Sequence, residues 1–228
     1  MLVDKDKDCS LDKKMCDARR GRRVLGRCLK GLGVLLWGVL PAYADPLSIN
    51  LQHQLDAIRS MSADFTQTTL AKKRRPLHAT GRMVLSKPGR LLWQLNKPQE
   101  QMVLADGRHV WIYDRALEQV TVKKQRPGMG GVAGLFLTGY QRSVAQYFHI
   151  EERSNGKNNE FSLHAKSSKA GIQNVQLRFV GPQLVFLELV DQLGQKTEIH
   201  FDHIHMNQSV SPRVFQFRPP KGVDVIQQ

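Results

Sequence analysis

Ala79 to Tyr113 reads ATGRMVLSKPGRLLWQLNKPQEQMVLADGRHVWIY, and this stretch decides the fold. Four short apolar runs are separated by turn signals at Lys87-Pro88-Gly89, Lys97-Pro98 and Asp106-Gly107. A two-residue Asp-Gly loop between alternating apolar segments is the strongest short-range hairpin signal. The region is therefore an antiparallel meander. Leu91, Trp93 and Leu95 share one face at period two, with Leu92 on the other. In the next hairpin Trp111 and Tyr113 share a face, with Val110 and Ile112 opposite. A sheet with bulky groups on both faces either lies between two layers or encloses a cavity.

Outward from the meander, the same alternation continues. Residues 79–86, 91–96, 101–105, 108–113 and 118–123 read as strands, as do 148–153, 160–166, 173–179, 184–191 and 195–202, with a last strand near 214–217. Upstream, Asp45-Pro46 fits a cap followed by proline at the first helical position. Leu47, Leu51, Leu55 and Ile58 then recur at helical spacing through Arg59, and the pattern turns extended from Met61 to Leu70. Between the two sets of strands, Arg126 to Gly139 (RPGMGGVAGLFLTG) breaks the alternation, and a short helix is predicted over Arg142 to Tyr147. The fold class is mainly β with α: an unclosed, curled antiparallel sheet with helices over its open side.

Residues 1–44 have the build of a secretory signal peptide. Arg19, Arg20, Arg22, Arg23, Arg27 and Lys30 form a basic region, Gly31 to Leu40 an apolar run, and Ala42-Tyr43-Ala44 a small-x-small cleavage site before Asp45. Met15 is an alternative start. The apolar run is too short for the roughly 20 residues that span a bilayer. Cys9, Cys16 and Cys28 all precede the cleavage site, so disulfides, cysteine-ligated zinc and thiol catalysis are not expected beyond it. The 184 residues from 45 to 228 suit a single domain, exported to the periplasm and monomeric, and carry 24 Lys+Arg against 15 Asp+Glu. Export makes nucleic acid an unsuitable partner for this basic surface. Lys72-Lys73-Arg74-Arg75 reads as a solvated hairpin tip.

Several motifs compete with a purely structural reading and lose. Gly128-x-Gly130-x-x-Ala133 resembles a dinucleotide fingerprint but lacks the βαβ context that the motif needs. His200, His203 and His205 beside Asp202 form a histidine-dense stretch, yet period two places many polar residues this way without a metal. Glu151 and Glu152 are adjacent and point to opposite strand faces, and no nucleophile elbow stands out. No catalytic residue, metal or cofactor is assigned.

Four segments in register resemble one family. Ser62-Ala63-Asp64-Phe65-Thr66-Gln67-Thr68, Lys87-Pro88 to Trp93, Asp106-Gly107 to Tyr113 with Glu118-Gln119, and Pro219-Pro220-Lys221-Gly222-Val223 are similar to the periplasmic outer-membrane lipoprotein carriers, the LolA family. The resemblance implies an unclosed antiparallel barrel lidded by short helices over an apolar cavity for acyl chains. It implies acylated lipoproteins as cargo, an ATP-driven inner-membrane releasing complex as donor and an outer-membrane acceptor as recipient, with no catalysis. A lipid-sensing or lipoprotein-sensing regulatory module on the same fold is the alternative, and a lipid-modifying hydrolase a weaker one.

On this resemblance, Leu91, Trp93 and Trp111 face the acyl chains, with Phe65, Leu95, Val103 and Tyr113 beside them, and Val132, Leu135, Phe136 and Leu137 form the lid. Family members commonly carry an arginine before the proline that opens the Trp93 strand, where it latches the lid. Here that position is Lys87, with Arg90 as the alternative latch. Magnitude limits the cavity. One ~15-carbon chain can contribute ~12 kcal/mol at ~0.8 kcal/mol per CH₂. Two or three chains would then pass the affinity ceiling near about 20 kcal/mol. A carrier that releases cargo must therefore oppose part of that gain.

Overall fold

The computed structural model describes residues 46–125, 147–167 and 171–228. Helix α1 (Pro46–Ala57) leads into eleven strands, followed by a 3-10 helix and a last strand. The first six strands are β1 (Ser60–Leu70), β2 (Leu77–Ser86), β3 (Arg90–Lys97), β4 (Gln101–Asp106), β5 (His109–Asp114) and β6 (Gln119–Lys124). Then come β7 (Phe148–Asn155), β8 (Asn158–Ala165), β9 (Ile172–Val180), β10 (Gln183–Asp191) and β11 (Lys196–Met206). After the 3-10 helix Pro212–Phe215, β12 covers Asp224–Gln227.

The twelve strands among the described residues form one sheet in the order β12-β6-β5-β4-β3-β2-β1-β11-β10-β9-β8-β7. Neighbours are antiparallel except β12, which runs parallel to β6. The sheet is unclosed, with β12 and β7 at its ends. Helix α1 shows how far it curls. Lys87, at the turn between β2 and β3, donates its Nζ to the Leu55 carbonyl at 2.6 Å. Asn50 Nδ2 in the same helix donates to Glu152 Oε2 in β7 at 3.1 Å. Leu55 and Asn50 stand only about 8 Å apart along the helix axis, whereas six strand spacings of a flat sheet separate β2 from β7 by about 29 Å. Side-chain reach does not close that gap, so the two halves of the sheet bend toward each other around α1.

Two apolar clusters occupy the two faces. The larger joins Leu51, Leu55 and Ile58 to inward residues of β1–β5 and β7–β11, among them Phe65, Leu91, Trp93, Phe161, Phe179 and Phe201. The smaller lies on the opposite face of β2–β4. There Val84, Leu92 and Leu104 are covered by Phe215, with Val210, Val214 and Phe217 beside it. Strand alternation sorts the meander as expected: Leu91, Trp93 and Leu95 belong with the first cluster and Leu92 with the second.

Two expectations are corrected. Residues 212–215 are a 3-10 helix rather than part of a strand at 214–217. Ser211 caps it through its side chain and Pro212 starts it, because this stretch lies across the sheet as a strap and does not extend it. The final strand falls instead at Asp224–Gln227, after the Pro219-Pro220 break, and its parallel pairing departs from the all-antiparallel reading. The histidine-dense stretch also resolves into fold. Between Ser62/Asp64 and His205/Asp202 the ladder of β1 and β11 slips, with His203 at φ 51. This bulge changes the buried parity from Thr197, Ile199 and Phe201 to Ile204 and Met206.

Candidate functional site

The site builds from Gly81 upward. In the β1–β2 ladder Phe65 lies opposite Gly81. A Cβ at Gly81 would fall 2.4 Å from Phe65 Cζ and 2.2 Å from the Gln94 carbonyl oxygen. The absence of a side chain lets the Phe65 ring lean across β2 and stack on Trp93 of β3, centroids 4.0 Å apart and planes 23° from parallel. Phe201, the β11 partner of Phe65, meets Trp93 edge-on at 6.3 Å. Three strands thus contribute one aromatic cluster, and the apolar stripe of α1 belongs to the same core.

Leu91 is fully buried and Trp93 and Phe65 nearly so. Leu95 and Val103, with Ile112 of β5, are only half-buried against the same core. Register explains the grouping: Trp93 pairs with Val103, and Val103 with Ile112. Of the seven residues expected to face acyl chains, five (Phe65, Leu91, Trp93, Leu95 and Val103) share this face.

Trp111 and Tyr113 do not, which corrects the expectation for them. Leu92 pairs with Leu104, and Leu104 with Trp111, so period two carries Trp111 to the strap face. Its ring meets Phe217 at 5.8 Å, as does that of Tyr113. The Trp111 indole N–H donates to Asp106 Oδ2 at 3.1 Å. Asp106 Oδ1 also accepts the amides of Arg108 and His109, each at 2.7 Å. Burial works against the Asp106 charge, yet these donors together hold its carboxyl below the usual range.

Two side chains clamp the C-terminal end of α1. Lys87 is one, and its ammonium also suits the negative end of the helix dipole. Partial burial lowers its pKa, offset in part by the Asp56 carboxylate. The second is Asn207, just past β11 at φ 57. Its Nδ2 donates to the Ala57 carbonyl at 2.9 Å, and its Oδ1 accepts the Arg59 amide at 2.8 Å and the Ser60 amide at 3.3 Å. Sequence reasoning passed over Asn207. The signal was an amide residue, tolerant of positive φ, standing immediately after a strand.

Arg90, the alternative latch, is exposed and borders a surface hollow of about 430 Å³ with Asp106, Phe215, Phe217 and Arg218. It therefore stands on the strap side, away from α1. The lid residues Val132, Leu135, Phe136 and Leu137, the glycines of 128–130 and all but the last residue of the expected helix over Arg142–Tyr147 lie outside the described residues. The three histidines take separate surroundings. His203 Nδ1 lies 3.0 Å from Asp64 Oδ2, His200 packs its ring on Phe186 at 4.8 Å, and His205 is exposed.

Comparison with known proteins then places the chain. Residues 56–218 match the family model described as outer membrane lipoprotein carrier protein LolA. The chain belongs to the LolA family. An outer-membrane lipoprotein carrier protein of Legionella pneumophila is 46% identical over 178 residues, spanning 78% of this chain and 88% of that one. The protein of the same name from Methylococcus capsulatus is 34% identical over 203 residues, 88% of this chain and 97% of the other. Among solved structures, a LolA superfamily protein from Nitrosomonas europaea aligns over 75% of this chain and 97% of its own, at 13% identity and a TM-score of 0.43. The stretch shared with the LolA family starts in the last turn of α1 and ends just after Phe217. It holds the aromatic cluster, both clamps and the strap, and stops before β12.

Proposed function

We propose that this protein carries lipoproteins across the periplasm, shielding their acyl chains against the α1 face of the sheet. The observation that carries the reading is the pairing of an aromatic, aliphatic face with a helix held at its C-terminal end by two side-chain clamps, Lys87 and Asn207. The names of the family's relatives supply the cargo class. A signal segment over residues 1–44, cleaved after Ala44, accounts for the location. On this reading an inner-membrane complex driven by ATP loads the carrier and an outer-membrane acceptor unloads it. Shielding and release break no covalent bond, so the chain's own residues supply binding alone.

Phe65, Leu91 and Trp93 are already buried among their own neighbours. An incoming acyl chain must displace them or α1, and that loss opposes the ~0.8 kcal/mol gained per CH₂. The half-buried strip Leu95, Val103 and Ile112 offers the first apolar contact. Opening at α1 would separate the helix from the Lys87 and Asn207 clamps, and Val132, Leu135, Phe136 and Leu137 would complete the cover. Native mass spectrometry of the protein recovered from the periplasm tests the proposal. Co-purified acylated protein is expected, with less of it on Trp93→Leu. A carrier recovered with phospholipid alone would overturn the lipoprotein reading.

A further inference from the structure

The turns at one end of the central strands carry a surface that cargo shielding does not use. The turn between β1 and β2 holds Lys72, Lys73, Arg74 and Arg75, all exposed. None of the four takes part in an ion pair among the described residues. The turn between β10 and β11 stands against it: Lys72 Cε lies 3.6 Å from where a Cβ on Gly194 would sit. At its apex Leu193 is 85% exposed, more than any other large apolar residue described. Asp191 Oδ1 braces that turn by accepting the amides of Leu193 and Gln195, both at 2.9 Å. The aliphatic side chain is therefore held outward by the backbone of a tied loop. Leu77, at the foot of β2, is also exposed.

The carboxylates near this tip are engaged elsewhere. Glu188 and Glu198 both bind Lys196, at 2.8 and 2.7 Å, and Asp191 is spent on its turn. Four cations with no ion-pair partner among the described residues thus share a turn that packs, through Lys72, beside a protruding leucine. A single exposed leucine is ordinary on any surface. A leucine fixed outward beside an uncompensated basic cluster matches a target that is anionic at its surface and apolar a few ångströms deeper, which is the chemistry of a lipid headgroup layer. An acidic polypeptide would satisfy the cations and leave Leu193 in water. The hollow beside Arg90 and Phe217 and the one beside Trp111 and Lys124 both lie away from this tip.

We propose that the paired β1–β2 and β10–β11 turns form a contact surface for an anionic bilayer, with Lys72, Lys73, Arg74 and Arg75 on headgroup phosphates and Leu193 entering the acyl boundary. Each basic residue near such a surface strengthens binding about fivefold, and the contact weakens with salt. The association is weak and reversible, as a shuttle between two membranes requires.

Co-sedimentation of the protein, recovered from expression of the full chain, tests this. The vesicles are phosphatidylcholine alone, or phosphatidylcholine and phosphatidylglycerol in equal parts. Binding is expected only with phosphatidylglycerol. Reversing all four cations to glutamate should cut it more than a hundredfold by the same count. Leu193→Ser should weaken it several-fold and leave its salt dependence unchanged. Thermal melts confirm that both variants fold, and cargo recovery in native mass spectra should stay at the parent level, which keeps this surface separate from the carrier reading. Undiminished binding of the charge-reversed variant overturns the proposal. So does failure of the parent to bind either vesicle, and retention on polyglutamate alone would assign the tip to an acidic polypeptide.

Discussion

The two faces of this sheet are both apolar, yet they are covered in different ways. On the strap face, Val84, Leu92 and Leu104 lie under Phe215, and the covering segment is continuous with β11 on one side and runs on to β12 on the other. A cover tied into the sheet at both ends is costly to lift. On the α1 face the cover is a helix that runs into β1 through Ile58 and Arg59, is clamped there by Lys87 and Asn207, and reaches β7 through Asn50. Burial alone does not separate the two, since Phe215 and Trp93 are about equally hidden. Attachment does: the strap is covalently continuous with strands on both sides, whereas α1 is held by its buried Leu51, Leu55 and Ile58 and by side-chain contacts, and on the proposed function it is this cover that opens.

The sharpest test of that contrast is Phe215→Ala. Removing the buried phenyl ring that the strap lays on the sheet should cost about 3–5 kcal/mol in a urea melt, while cargo bound per folded molecule stays at the parent level. A loss of loading beyond the unfolded fraction would break the contrast. Gly81→Ala comes next. Its Cβ would meet the Gln94 carbonyl and the Phe65 ring, so overpacking of about 1–3 kcal/mol is expected, together with a change in the near-UV circular dichroism of the Phe65–Trp93 stack. An unperturbed spectrum would mean that the stack does not depend on the glycine.

Trp111→Leu should cost about 1 kcal/mol, chiefly the ring contact with Phe217, and should leave loading intact where Trp93→Leu reduces it. Equal loading defects would return Trp111 to the cavity wall. The smallest effects are in pH. Burial lowers the Lys87 pKa below its ordinary 10.5, so the folded protein releases that proton before the unfolded chain does. Stability should then rise with pH between the lowered value and 10.5, and Lys87→Met should flatten that rise. Asp106 works in the opposite arm. Its carboxyl lies below the ordinary 3.8, so its contribution is complete above 3.8 and is lost as pH falls through the lowered value. Asp106→Asn should remove that acid-side loss, and an unchanged acid limb in chemical denaturation would contradict the assignment.

Much of the fold was legible because strand formation is local. Turn residues at Lys87-Pro88-Gly89 and Asp106-Gly107 set hairpins, and period two sorted Leu91 and Trp93 from Leu92. The errors came where a pattern had to be carried from one strand to the next. Trp111 alternates correctly within β5, but only the pairing of Leu92 with Leu104 and of Leu104 with Trp111 assigns it to the strap face. The bulge at His203 is written in the sequence as a phase change between Phe201 and Ile204.

The sequence by itself determined the first eleven strands, the turns, the amphipathic helix and the family, because each rests on residue spacing within a few neighbours or on segments kept in order along the chain. Tertiary structure alone decided which face each strand presents to which cover, that Gly81 makes room for Phe65 on Trp93, that Asn207 and Lys87 meet the end of α1, and that β12 returns parallel to β6. These joins link residues as much as 150 positions apart. Spacing along a chain carries no information about such meetings until register and curl bring the partners together.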